Sequence, residues 1–270
     1  MIKSSLRRQL VLPFVSMVAI VALAIGWVSF QATAEAVGAL MQRVLLDMVG
    51  RVGGVTGNHL VEARTVLEAV VPESHGGALP PPFVASPATL EDQFWSLSVS
   101  GQPEASGRAV YFGGADGSFV GIDRTVPDRV ELYLRQPGEL QRRVYLIDAP
   151  GDRERLLRSD DYDPRQRPWY RAALAQPQAK PVWAPVYHDF SNARSTLTLA
   201  RAVYRADRQL AGAVATDLPL AALTAALRRL KLSEHGVLFL LDADGRLVVS
   251  SSADEPFRPV EAPPRQARVG

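Results

Sequence analysis

The chain has 270 residues, 47% of them hydrophobic and 21% charged, which supplies enough apolar surface for one or two cored domains and excludes a disordered polypeptide. Thirty basic against 28 acidic residues leave a net charge of +2, too small a field to mark a nucleic-acid partner. With no cysteine there is no disulfide, thiolate nucleophile or Cys-type zinc site.

The first element is apolar. No charge occurs from Gln9 to Ala34, and residues 10–30 are long enough, at about 1.5 Å per residue, to cross a hydrocarbon core of roughly 30 Å. Lys3, Arg7 and Arg8 precede this run and Glu35 is the first charge after it, so the positive-inside bias puts residues 1–9 in the cytoplasm and the rest outside. A small-x-small site at Ala32 to Ala34 also suits a cleaved signal peptide. The run is longer than a signal core, which favours an uncleaved anchor.

Residues 31–71 carry an apolar stripe at steps of three and four, from Val37, Leu40, Met41 and Val44 on to Ala63, Val66, Leu67 and Val70. That periodicity predicts a long stalk helix. Glycines at 50, 53, 54 and 57 predict a kink or break in its middle, since each costs about 1 kcal/mol relative to Ala in a helix interior. The distal half of the stripe is expected to pack on its own domain and the proximal half on a second copy, giving a homodimer.

Residues 72–218 read as one module. A breaker-rich loop with "GGALPPPF" is followed by a short helix, "ATLEDQFWSL", and then by strand-like runs: "RAVYFGG", "GSFVGID", "RVELYLRQ" and "RRVYLIDA". The turn dipeptides Asp116-Gly117 and Pro137-Gly138 separate them, so the sheet is expected to be antiparallel. "STLTLARAVYR" and "LAGAVATDL" add two strands before a linker helix at 219–232. Residues 233–270 then open another hairpin, "GVLFLLDADGRLVVSSS", with its turn at Asp244-Gly245, as the start of an incomplete second module. The fold class is α+β.

Nothing here supports catalysis. There is no nucleophile elbow or phosphate-binding glycine loop, and His59, His75, His188 and His235 are scattered, so neither a metal nor a cofactor is expected. "DADG" begins like a calcium loop, but Ala253 stands where a bidentate Glu is needed.

The segment "YDPRQRPWY", Tyr162 to Tyr170, is different. Arg167 offers a planar fork for a carboxylate, and Trp169 an indole donor with an apolar wall. Further on, Tyr187 and Asp189 alternate and would share one side of a strand, and Asp217 ends an apolar strand, a costly place for an acid unless it is paired or lines a cavity. Carboxylates among aromatic faces make a receptor for an ammonium group. Taken one at a time, each residue also has a plain structural reading. Asp163 and Pro168 initiate a helix, Trp169 and Tyr170 anchor a core, and Asp217 caps the helix that follows.

"DPRQRPWYRAA" and "LAGAVATDLPLAALTAAL" resemble the double Cache family of extracytoplasmic sensor domains from bacterial signal-transduction proteins. The resemblance spans about residues 10 to 252 and implies a PAS-like antiparallel sheet in the distal module. The subgroup that binds free α-amino acids carries a Tyr shortly before Arg-x-Trp, then Tyr-x-Asp, then a distant Asp, matched here by Tyr162, Arg167 and Trp169, by Tyr187 and Asp189, and by Asp217. It implies that Arg167 and Trp169 bind a ligand carboxylate while Tyr162, Tyr187, Asp189 and Asp217 surround its ammonium. Amine-binding subgroups share much of this pattern. The implied function is a membrane-anchored periplasmic sensor of the inner membrane that binds a small amino acid or amine and signals across the bilayer. The alternatives are the sensory half of a diguanylate cyclase or histidine kinase whose output domain lies beyond residue 270, and an anchored adhesion module whose cluster is merely core.

Overall fold

The computed structural model describes residues 6–72, 82–84, 86–99, 107–126, 128–188, 190, 195–230, 235–242, 245 and 247–252. The chain divides into two compact units, Met1–Gly53 and Gly54–Gly270. Helix α1 spans Leu6–Val70. Among the described residues it is the one helix long and apolar enough to cross a membrane. Its first unit leaves Phe14, Leu23, Phe30, Leu40 and Met41 exposed.

Of the kink or break expected at the glycines, the break does not occur, because the helix runs without interruption through Gly50, Gly53, Gly54 and Gly57. Each glycine weakens the helix locally, but propagation from well-formed turns on both sides is cooperative and offsets that cost. In the second unit the apolar stripe does what its spacing predicts. Ala63, Val66 and Leu67, with Val71 just beyond the helix, are buried against the sheet.

Helix α2 (Pro87–Leu97) starts where Ser86 accepts the Thr89 N–H at 3.2 Å and proline fills the first turn. The sheet follows: β1 (Ala109–Gly114), β2 (Phe119–Asp123), β3 (Glu131–Arg135), β4 (Gln141–Leu146), β5 (Arg155–Asp161), β6 (Val182–Trp183), β7 (Tyr187–His188), β8 (Ser195–Tyr204) and β9 (Leu210–Pro219). The strand order is β5-β4-β3-β2-β1-β9-β8-β6, with β7 also on β8, and every pairing is antiparallel. Gly117 and Gly138 hold φ of 85° and 80° in the β1–β2 and β3–β4 turns, a conformation that favours glycine.

Strand β5 was not foreseen. "RLLRSDD" is charge-rich and lies at the sheet edge, so it lacks the apolar alternation of a half-buried strand. Helix α3 (Pro168–Ala175) lies between β5 and β6. The linker helix expected at 219–232 forms as α4, Leu220–Arg229, and Pro219 instead closes β9. Strands β10 (Phe239–Leu241) and β11 (Leu247–Ser250) pair as the expected second hairpin, although Asp244 of its turn lies outside the described residues.

Strand alternation divides the sheet into two faces. One is aliphatic, with Val110, Ile122, Leu132 and Val214 packed beneath α2 and the C-terminal part of α1. The other carries Tyr111, Phe119 and Tyr133, packed with Tyr162 just beyond β5 and with Trp169 and Tyr170 of α3.

Candidate ligand-binding face

The aromatic face is built in rows. Ala109 of β1 lies opposite Asp217 of β9, and Asp217 opposite Thr198 of β8. One step along, Tyr111 lies opposite Ala215, and Ala215 opposite Ala200. The alanines keep the floor low on either side of the Tyr111 ring.

At the β9 end, Asp217 is 7% exposed. Its Oδ1 accepts from the Tyr111 hydroxyl at 2.7 Å and from Thr198 Oγ1 at 2.5 Å. Thr198 Oγ1 in turn lies 2.8 Å from the Tyr187 hydroxyl. Burial, and after it the Asp217 charge, push the phenol of Tyr111 well above its ordinary value. The same two causes raise that of Tyr187, with the Thr198 hydrogen bond pulling the other way. Both therefore keep their protons at neutral pH.

The segment 162–170 supplies the opposite wall. Asp163 accepts the Arg165 N–H at 3.0 Å and caps a single 3-10 turn, Pro164–Gln166. Arg167 is extended, at φ −80° and ψ 147°, and Pro168 opens α3. Helix initiation and core anchoring are thus both present: Trp169 and Tyr170 are 1% and 3% exposed. Gly113 makes the closeness of Trp169 feasible, since a Cβ there would lie 2.6 Å from Pro164 Cβ and 3.0 Å from Trp169 Cη2.

The Arg167 guanidinium sits 5.5 Å from the Tyr162 ring and 5.2 Å from that of Phe190. Among the described residues it makes no hydrogen bond or ion pair, and the Trp169 indole N–H has no hydrogen-bond partner. Tyr162 is buried, with its ring 4.9 Å from Phe119 and 5.5 Å from Phe190.

Of the six residues singled out in the sequence, the fold groups Tyr162, Arg167 and Trp169 in one cluster and Tyr187 and Asp217 in another. Asp189 lies outside the described residues. The strand containing Tyr187 extends only to His188. Tyr111 links the two clusters, bonded to Asp217 and edge-to-face with Trp169 at 5.0 Å between centroids.

Tyr111, Thr198 and Arg142 were not singled out. Period-two alternation could have found the first two, since Thr198 and Tyr111 share the small-residue face with Ala200 and Ala109. Arg142 is 1% exposed and forked onto Asp160 at 2.9 and 2.8 Å, with its guanidinium 4.0 Å from the Tyr162 ring and 4.6 Å from that of Tyr133.

A cavity of about 240 Å³ opens elsewhere, near the β1–β2 turn, lined by Phe83, Leu90, Phe112, Leu134, Arg205 and their neighbours. Its walls come largely from the aliphatic face, and none of the six residues lines it. This cavity and the convergent polar chemistry are therefore in different places, and the chemistry marks the better candidate site. Among the described residues no group of His, Asp and Glu is arranged to hold a metal.

Residues 132–225 match the family model described as methyl-accepting chemotaxis protein-like, first PDC sensor domain. The chain is similar to the methyl-accepting chemotaxis protein McpC of Bacillus subtilis, at 35% identity over 95 residues, which is 35% of this chain and 14% of that protein. It is also similar to adenylate cyclase 1 of Rhizobium meliloti, at 26% identity over 269 residues, covering 93% of this chain and 39% of that protein. Among solved structures, the sensory domain of the Campylobacter jejuni chemoreceptor Tlp3 with isoleucine bound superimposes with a TM-score of 0.46 at 15% identity, over 76% of this chain and 66% of that one. The chain thus spans well under half the length of these two curated relatives. Residues 132–225 are thus similar to a chemoreceptor-type sensor domain, and the match to the cyclase does not show catalysis.

Proposed function

On the premise that residues 132–225 belong to a chemoreceptor-like sensor domain, we propose that the aromatic face of the sheet binds a small α-amino acid. The observation that carries this reading is the pairing of opposite charges across one aromatic patch. Arg167 has no ion pair among the described residues, Asp217 is buried and accepts from two hydroxyls, and Tyr111 joins Asp217 to the Trp169 ring. In this reading Arg167 and the Trp169 N–H take the carboxylate, while Tyr162, Tyr187, Asp189 and Asp217 surround the ammonium. An unpaired fork over two rings suits a planar anion, and an acid beside phenol rings suits a cation.

The rest of the assignment follows from α1. Its apolar run and the basic residues before it support an anchor in the bacterial inner membrane with the sensor outside and the N-terminus in the cytoplasm. The exposed apolar stripe of its first unit, with Val37, Leu40 and Met41, supports a homodimer through the stalk. Ligand occupancy is passed from β9 to α4 toward the membrane. The test is calorimetry on the full chain in detergent micelles, titrated with the common L-amino acids and with primary amines. Saturable heat with at least one amino acid is expected, and none with any of them overturns the ligand class.

A further inference from the structure

The cavity near the β1–β2 turn takes no part in the amino-acid reading. Phe112, Val120 and Leu134 lie opposite one another on β1, β2 and β3 and form its floor. Leu90 of α2 and Phe83 form its walls, and the Phe83 ring stacks on that of Phe112 at 5.0 Å between centroids. The Phe83 N–H donates to the Tyr204 carbonyl at 2.8 Å, which pins this wall to the end of β8. These side chains give water no hydrogen-bond partner, so an apolar group of the right size is favoured there. The volume, about 240 Å³, lies below the roughly 300–1,000 Å³ of ordinary ligand pockets and admits a single ring or a short branched chain.

The charged residues of the lining are Asp116, Arg135 and Arg205. Arg135 is buried and committed. It donates from Nε to the Glu139 carbonyl at 2.8 Å and from Nη1 to that of Tyr162 at 2.7 Å, and it lies 3.8 Å from Asp163. Asp116 is tied to its own turn, where Oδ1 accepts from the Ser118 N–H at 3.0 Å and from Ser118 Oγ at 2.6 Å. Gly114 allows that arrangement, since a Cβ there would lie 2.4 Å from the same oxygen. Arg205 is exposed, and its guanidinium makes no hydrogen bond or ion pair among the described residues, the Asp116 charge reaching it only at longer range.

We propose that this cavity is a second ligand site, for a small monocarboxylate with an aromatic or branched apolar body. The body fills the space between Phe83, Phe112 and Leu134, and the carboxylate meets the Arg205 fork at the mouth. A neutral amide of the same shape forfeits the charge-assisted hydrogen bond, and acetate forfeits the apolar burial. The site draws on the aliphatic face of the sheet, and none of the six residues read from the sequence lines it.

For the test, para-fluorobenzoate is titrated into the full chain in micelles and followed by fluorine NMR, with micelles alone as the blank. Saturable binding is expected, about tenfold or more tighter than that of para-fluorobenzamide. Arg205→Gln, at an exposed position, should weaken fluorobenzoate about tenfold and leave the amide unchanged, while Arg205→Lys recovers part of the loss.

No saturable binding of fluorobenzoate overturns the proposal. So does an affinity in Arg205→Gln within about twofold of the wild type, which puts the carboxylate elsewhere. Equal binding of para-fluorobenzylamine overturns it too, because Asp116 would then be the charge that counts. Displacement of fluorobenzoate by an amino acid that binds the aromatic face makes the two sites one and has the same effect. Calorimetry with amino acids tests the aromatic face and these titrations the aliphatic one, so the two readings fail separately.

Discussion

Arg142 and Arg167 both stand against the ring of Tyr162, at 4.0 and 5.5 Å, and both approach Phe190. The surroundings of the two differ in one respect. Arg142 is forked onto Asp160 and is almost wholly buried, so its charge is met within the chain. Arg167 is half-buried and has rings beside it but, among the described residues, no carboxylate. Cation–π contact alone does not satisfy five N–H donors. Two similar side chains at one aromatic ring are thus placed differently, one with its charge met by Asp160 and the other with rings beside it and, among the described residues, no carboxylate.

The comparison can be broken most directly at the paired arginine. Arg142→Ala strips Asp160 of its fork and leaves the face of Tyr162 uncovered, and a loss of about 3 kcal/mol in unfolding free energy is expected from denaturant titration. Arg158 remains 3.6 Å from Asp160 and limits the damage. Arg167→Ala should behave in the opposite way. Stability should change by less than about 1 kcal/mol, while affinity for an amino acid should fall by about fiftyfold or more and affinity for a primary amine should be kept. Equal loss of both ligands would remove the carboxylate role assigned to that side chain.

Gly113→Ala sharpens the contrast from beneath. Its methyl would collide with Pro164 and the Trp169 ring, so a destabilisation of about 2 kcal/mol and a shifted tryptophan emission are expected. The smallest effect belongs to Asp163, whose carboxyl is held below its ordinary range, first by the Arg165 side-chain hydrogen bond. A lowered native pKa makes its contribution fully present above about pH 4 and lost as pH falls through the native value. Asp163→Asn should therefore lower the melting temperature slightly at neutral pH and flatten the acid limb, the two proteins converging at low pH.

The contrast between the arginines also marks what was legible in the sequence. Arg167 stood out because it lies two residues from Trp169 in a segment dense with rings and prolines. Arg142 did not, because its partner Asp160 sits on an edge strand whose charges hid it as a strand, and only the β4–β5 register brings them together. Interior strands, the turn glycines and the helices announced themselves through alternation and breakers. Tyr111 and Thr198 were visible as members of a polar row but not as ligands of one oxygen, because that requires the order in which β1, β9 and β8 lie side by side. The glycines of α1 did not break the helix, since local propensity was outweighed by cooperativity along its 65 residues.

The junction between β9 and α4 is tight. Strand β9 ends at Pro219 and α4 begins at Leu220, so no loop separates them. Asp217 is three residues from the start of the helix, and its carboxylate is tethered to β1 and β8. At the far end of α4, Arg228 donates from Nε to the Ser251 carbonyl at 3.2 Å, just beyond β11. Slack is what lets a joint lose motion, and this joint has none. A translation at Asp217 would meet α4 with no intervening loop to absorb it, and α4 is in turn bonded to the residue after β11.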